Sequence, residues 1–360
     1  MTDRNRLEKL LQRLEGMELQ QMMICDPTAI FYLTGKWIFP GERFLGLLVS
    51  KSREPVLFVN ELFRFDEEIG AEKVYFSDTD NIIPLLKAKI QADEALGVDK
   101  IMAARFLLPM MEQHVAKGFV NASPAVDLSR AVKDAAEQEK MRRSSHVNDL
   151  AMEQFKKLIH AGVTELEVAE QMLGIYESLG ASAYSFDPIV AFGGNAADGH
   201  HMPDETVLKE GDCVLLDVGC VVDNYCSDMT RTFFWKKEPD EKAREVYELT
   251  RRANQEAEDM LIAGIPLMSV DKMARDIITE GGYGPNFTHR LGHFIGIEDH
   301  EFGDVSQANE NLTEVGNTFS IEPGIYVPGV VGVRIEDLVL ITQEGHEILN
   351  HYSKEIEVLE

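Results

Sequence analysis

Cysteine is scarce in this chain: four residues in 360, Cys25, Cys213, Cys220 and Cys226, with no Cys-x-x-Cys pair. That excludes a disulfide framework and leaves buried thiols as the ordinary reading. Basic residues are also short, 35 against 62 acidic ones, for a formal charge of -27. A field of that sign repels nucleic acid and anionic membranes, so neither is expected as a partner. It names no substrate, although carboxylates that bind metal would be counted here without their compensating cations. No apolar run reaches the roughly 20 residues needed to cross a bilayer. The opening "MTDRNRLEKLLQRLEGMELQ" is charged and lacks the apolar core of a signal peptide. A soluble, cytoplasmic protein is the expectation. Low-complexity segments and short internal repeats are absent as well.

With 44% hydrophobic residues over 360 positions, the chain can build more than one core, and two domains are expected. Residues 1–127 alternate strand-like runs ("ERFLGLLVS", "EPVLFVN", "ALGVDK") with helical stretches, which reads as an α/β domain. "LFRFDEEIGAEKVYFSDTDNIIPLLKAKIQ" reads helix, strand, helix. Residues 128–360 open with long helical periods. Thr164 and Glu167 form a capping box at the start of one of them. Strands and turns then take over, interrupted by a helix pair, as in an α+β domain with a substantial sheet.

Three stretches carry chemistry. In "CVLLDVGCVVDNYCSDMTRTFFW" an Asp-Asn turn signal separates two apolar arms. Asp217 interrupts the first arm and Asp228 lies on the return. A carboxylate among Leu, Val and Phe is costly unless it is paired or metal-bound, although edge positions facing water would also tolerate it. "NTFSIEPGIYVPGVVGVRIEDLVLI" repeats the pattern with Glu322 and Glu336. "HRLGHFIGIEDHE" concentrates three of the ten histidines, His289, His293 and His300, with Gly292 and Gly296 to let the chain turn tightly. Each histidine alone can be structural, a ligand or a proton carrier. Taken together, Asp217, Asp228, His293, Glu322 and Glu336 suit a two-metal hydrolase. A set without Cys argues against structural zinc.

In this order, "LLDVG…YCSDMTRTF", "FTHRLGHFIGIEDHE" and "SIEPGIYVPGVVGVRIED" resemble the pita-bread metallopeptidases of family M24. That family includes methionine aminopeptidase, aminopeptidase P, prolidase and creatinase. The bacterial Xaa-Pro dipeptidases (prolidases) are the most similar group. "DPTAIFYLTG" and "GERF" resemble the family's amino-terminal domain more loosely.

The resemblance implies an α/β domain of creatinase amino-terminal type over 1–127, serving dimerisation and walling the substrate site. It implies an α+β pita-bread catalytic domain over 128–360. The five residues named above would hold two divalent metal ions, manganese first, with cobalt or zinc as alternatives. Asp228 and Glu336 would bridge, and Asp217 would bind one ion bidentately. Glu322 would share the ion of His293 and shuttle a proton. His289 and His300 would line the substrate site. In "GGNAADGHHMPDE" the match falls on His200, which would steady the tetrahedral intermediate, with His201 the competitor. Arg334 would support the site or meet the substrate carboxylate, a role also open to Arg290 or to Arg43 of the loop "WIFPGER". Phe287, Tyr326 or Phe294 would grip the proline ring.

Two departures stand out: Phe294 where the family often has glycine, and Gly199 before His200 where it often has proline. The implied reaction is metal-dependent hydrolysis of Xaa-Pro dipeptides through hydroxide activated by two metals, in a homodimer. Aminopeptidase P activity on longer Xaa-Pro peptides is the alternative. A metal-free peptide-binding protein is a third reading, disfavoured because all five ligand-type residues are present.

Overall fold

The strand Leu45–Ser50 is buried at every position, and so is Gln21–Ile24. Runs apolar on both faces need cover on both faces, and these two strands occupy the middle of a six-stranded sheet. The computed structural model describes residues 3–360. Its chain divides into two compact units, Met1–Arg130 and Ala131–Glu360.

In the first unit the sheet runs Glu72–Phe76, Arg53–Asn60, Leu45–Ser50, Gln21–Ile24, Ala95–Val98, Gly118–Asn121. Helix Pro27–Thr34 starts where local chemistry dictates: the Asp26 carboxylate accepts from Thr28 N and proline occupies the first turn. Gly35, at φ 71°, ends it. The first unit runs to Arg130, and helix Ser123–Ala131 at its end is tied inward. The carbonyl of Ser129 accepts from Lys9 Nζ at 2.9 Å, and Arg130 lies 3.4 Å from Asp26. The helix expected just after residue 60 is only the 3-10 turn Glu61–Phe63. Leu62 there is 67% exposed and contributes little packing to sustain a longer helix.

The second unit opens with the 21-residue helix Ala135–Phe155, held at its start by a capping box of Asp134 and Glu137. Helix Glu165–Ser178 follows, with the expected box of Thr164 and Glu167. One sheet pairs Ile189–Phe192, Cys213–Val218, Met229–Trp235 and Val358–Leu359. A second contains Gly292–Phe294, Thr318–Ile321 and Asp337–Ile341. The hairpin Gly324–Val327/Val331–Arg334 and a small sheet of Tyr225–Cys226, Cys220–Val222 and Ala183–Tyr184 accompany them. The Asp-Asn turn is present: Asp223 (φ 52°) and Asn224 (φ 66°) both take positive φ, as the hairpin turn requires.

A buried charge network knits this unit. The Arg231 guanidinium, 1% exposed, donates to Asp337 Oδ1 (2.6 Å) and to the carbonyls of Glu336 (2.6 Å), Tyr352 (2.8 Å) and Ser353 (3.0 Å). Lys354 bridges Asp337 (2.7 Å) and Glu258 (2.6 Å). Burial alone would raise the Asp337 pKa, but Arg231 and Lys354 hold it below its ordinary value. Asp337→Ala leaves two cations facing each other without their shared anion. The expected loss is about 3–5 kcal/mol, to be read from denaturant unfolding. A loss under about 1 kcal/mol would show that the network is not structural.

Candidate active site

The two acid-bearing hairpins meet at their strand ends. Asp217 is the penultimate residue of strand Cys213–Val218, and Asp228 immediately precedes Met229–Trp235. Glu322 immediately follows Thr318–Ile321. Glu336 lies in the gap between Val331–Arg334 and Asp337–Ile341, not within a strand as its sequence context suggests. The ladder is interrupted there, and the backbone N–H of Glu336 is satisfied by Thr230 O at 3.1 Å. The same threonine fixes the side chain, donating from Oγ1 to Glu336 Oε2 at 2.7 Å. Strand Gly292–Phe294 presents His293. No side chain fits at Gly292, where a Cβ would stand 1.9 Å from the Ser320 carbonyl oxygen, so the histidine strand packs directly on the glutamate strand.

All five side chains line one cavity of about 940 Å³. Ligand-type atoms of Asp228, His293 and Glu336 lie within 4.8 Å of one another. His293 Nε2 is 3.4 Å from Asp228 Oδ2 and 3.6 Å from Glu322 Oε1. Its Nδ1 faces the Phe294 carbonyl at 3.3 Å, which places the ring proton there and leaves Nε2 a lone pair. Burial and the neighbouring His300 push the His293 pKa down to about 3, so the ring is neutral at neutral pH.

Arg334 is largely committed within the site. It donates to Asp217 Oδ2, to Tyr326 Oη (2.7 Å), to Thr230 Oγ1 (3.1 Å) and to the Gly199 carbonyl (3.3 Å). Of its two expected roles, the geometry matches support of the site, with four of its five N–H donors taken by the protein. Arg290 lines the cavity, 3.3 Å from His300 Nδ1. Arg43 belongs to the other unit and is engaged by Asp78 at 2.8 Å. His289 is held at both nitrogens, by Arg290 O at 2.8 Å and Tyr326 Oη at 3.0 Å. Burial and Arg334 lower its pKa to about 4. His300 is more open, with its ring centroid 3.8 Å from that of His293. His200 lines the cavity, whereas His201 binds Glu165 at 2.6 Å.

Phe287 and Phe294 are buried behind the cavity wall, the latter against Phe319. Tyr326 does reach the cavity, joined by Phe186, Ile189, Pro285 and Pro328. Asp299 also lines it, with a buried, unpartnered Oδ1. Sequence reasoning passed over Asp299, although its place beside His300 was a usable signal.

The model of "Metallopeptidase family M24" matches residues 139–343, and that of "Creatinase/Prolidase N-terminal domain" matches residues 6–132. The chain belongs to metallopeptidase family M24. An uncharacterized peptidase of Staphylococcus aureus (strain USA300) is 37% identical over 97% of this chain and 99% of its own length. The prolidase of Thermococcus sibiricus is similar in structure at TM-score 0.91, 30% identity and full coverage of both chains. The Xaa-Pro dipeptidase of Bacillus anthracis gives TM-score 0.89 at 29% identity, covering 99% of each. The fold is thus a creatinase-type amino-terminal domain followed by an M24 pita-bread domain.

Membership in M24 implies divalent metal ions, and the residues present fit them. Asp217 Oδ1, Asp228 Oδ1 and Glu336 Oε1 are buried without a hydrogen-bond partner. Such atoms are costly in a folded protein unless something absent from the polypeptide satisfies them. The carboxylates also crowd one another. Burial first, and then neighbouring carboxylates, push Asp228 and Glu336 well above the usual range. Burial also pushes Glu322 up to about 8, and burial with Asp217 pushes Asp299 to about 7. A cluster of mutually repelling acids with a neutral imidazole at its edge is chemically a cation site.

Proposed function

We propose that this protein hydrolyses Xaa-Pro dipeptides in a metal-dependent reaction, with Asp217, Asp228, His293, Glu322 and Glu336 holding two divalent ions. The observation that carries this reading is the convergence of those five side chains with three buried oxygens lacking partners. Bound there, such ions supply Lewis-acid polarisation of a carbonyl and bring the pKa of water toward neutrality. The rest falls to the chain's own groups. His200 and His300 face the cavity and would donate to the carbonyl oxygen as it gains charge, where preorganised donors count most. Glu322, which lines the cavity beside His293, is the carboxylate placed to carry a proton to the departing proline nitrogen. Arg290 is the cavity's cation for the substrate carboxylate, since the charge of Arg334 is already paired with Asp217. Phe186, Ile189 and Tyr326 offer an apolar wall for a ring that has no N–H to satisfy. His289 acts by holding Tyr326.

Manganese is the metal we favour. The working form is a cytoplasmic homodimer in which the amino-terminal domain walls off the substrate. The loop from Trp37 to Arg43 supports this, with Trp37 stacked on Phe31 (4.4 Å) and Phe39 71% exposed. Among the described residues no helix is long and apolar enough to cross a membrane. The likeness to prolidase and Xaa-Pro dipeptidase structures favours dipeptides over the longer substrates of an aminopeptidase P. Protein reloaded with manganese is expected to cleave Ala-Pro and to leave Ala-Pro-Pro-Ala intact. Cleavage of the tetrapeptide alone would transfer the reading to aminopeptidase P. Failure on both, with peptide still bound, would make it a binding protein.

A further inference from the structure

We propose that Glu165 is a positioning residue for His200, acting through the loop that carries it. Glu165 is the first residue of helix Glu165–Ser178 and is fully buried. Its Oε1 accepts from Phe192 N (2.6 Å) and Asn195 Nδ2 (3.0 Å). Its Oε2 accepts from His201 Nε2 (2.6 Å) and Asp204 N (3.2 Å). These donors come from both arms of the segment 192–204, and His200 sits between them. The helix start also pins this segment through its backbone: Leu166 N donates to Asp204 O at 3.0 Å and Glu165 N to Thr206 O at 3.2 Å.

A carboxylate offers about four lone-pair sites, and four N–H donors fill them. The grouping of Glu165, His201 and Asp204 would otherwise resemble a cation site. With the carboxylate saturated, it holds a loop rather than an ion. The position at a helix N-terminus stabilises the negative charge. The other side of the loop is fixed from the active site: Arg334 donates to the Gly199 carbonyl at 3.3 Å, and the Tyr326 ring lies 3.3 Å from where a Gly199 Cβ would stand. His200 is therefore clamped between its two neighbours. Gly199 is held by the site's arginine, and His201 by a carboxylate outside the cavity. That arrangement offsets the freedom that glycine at 199 introduces.

The inference rests on the reading of His200 as a donor to the developing oxyanion, and the test separates the two. In metal-loaded full-length protein assayed on Ala-Pro, Glu165→Gln is expected to lower kcat by about 10- to 100-fold, the scale of an ångström-level misplacement. KM and bound metal should stay near wild type. Added to His200→Ala, it should lower kcat no further, because residues acting through one group are not additive. His201→Gln, which keeps an N–H donor, should retain most of kcat, while His201→Ala falls as Glu165→Gln does. If Glu165→Gln does not fold, the two His201 variants carry the same comparison. Equal losses from Glu165→Gln with and without His200, or no loss while His200→Ala is impaired, overturn the inference alone. An unimpaired His200→Ala overturns the reading of His200, and the inference with it.

Discussion

Asp228→Asn is expected to abolish peptide hydrolysis while leaving a folded protein that holds little metal. Asp228 lies within reach of both His293 and Glu336, so it is the acid most central to the proposed ion pair. The amide keeps the shape, removes one anionic oxygen and aims an N–H at the cluster. Activity should fall at least about 1000-fold, equivalent to about 4 kcal/mol of barrier. Stability should move the opposite way. Without metal, Asp228 is pushed far above its ordinary pKa by burial and by Glu336, which is a cost carried by the fold. The asparagine variant should therefore melt higher than wild type in chelator and respond little to added manganese. Metal analysis, turnover of Ala-Pro and melting scans with and without chelator read all three effects. Retained metal together with full turnover would remove Asp228 from the centre.

The second large effect is a pH dependence that metal reverses. In the folded chain Glu322 titrates near 8 and Asp299 near 7, with Asp228 and Glu336 well above ordinary carboxylates. Unfolded, all four return to about 4. An acid with a raised folded pKa stabilises while it is protonated, and that contribution is lost as pH climbs through the folded value. Metal-free protein should therefore weaken steadily from about pH 4 to about pH 8, by up to about 1.4 kcal/mol per pH unit for each group in transition. Several kcal/mol corresponds to about 10 °C in a domain of this size. Saturating manganese should flatten or invert the trend, because it binds only the folded cluster and competes better once the acids have lost their protons. Parallel melting curves in chelator and in manganese across that range would refute the cluster as a cation site.

The acid pattern was legible because physics penalises it. Asp217 and Asp228 flank apolar arms, Glu322 and Glu336 repeat the arrangement, and only a shared purpose makes four such costs tolerable. The Asp-Asn turn and the Thr164 capping box were readable for a similar reason, since both signals are local. What escaped depends on tertiary approach. Arginine has five donors and no local preference among partners, so nothing near Arg334 announces that Asp217, Tyr326, Thr230 and Gly199 claim them. Phe186 and Phe294 are equally aromatic, and only packing decides that the first faces the cavity and the second the core. Glu165 and His201 read as a helix-start acid and a spare histidine until 36 residues of chain fold back between them.

The buried network around Arg231 has a consequence for the chain's far end. The carbonyls of Tyr352 and Ser353 and the ammonium of Lys354 all come from the last ten residues, and Val358–Leu359 adds a strand beside Met229–Trp235. This stretch is masonry rather than trim. A premature stop codon or a protease nick upstream of residue 352 would bare a guanidinium directly behind Glu336, so damage at the carboxyl end would surface as a failed catalytic centre.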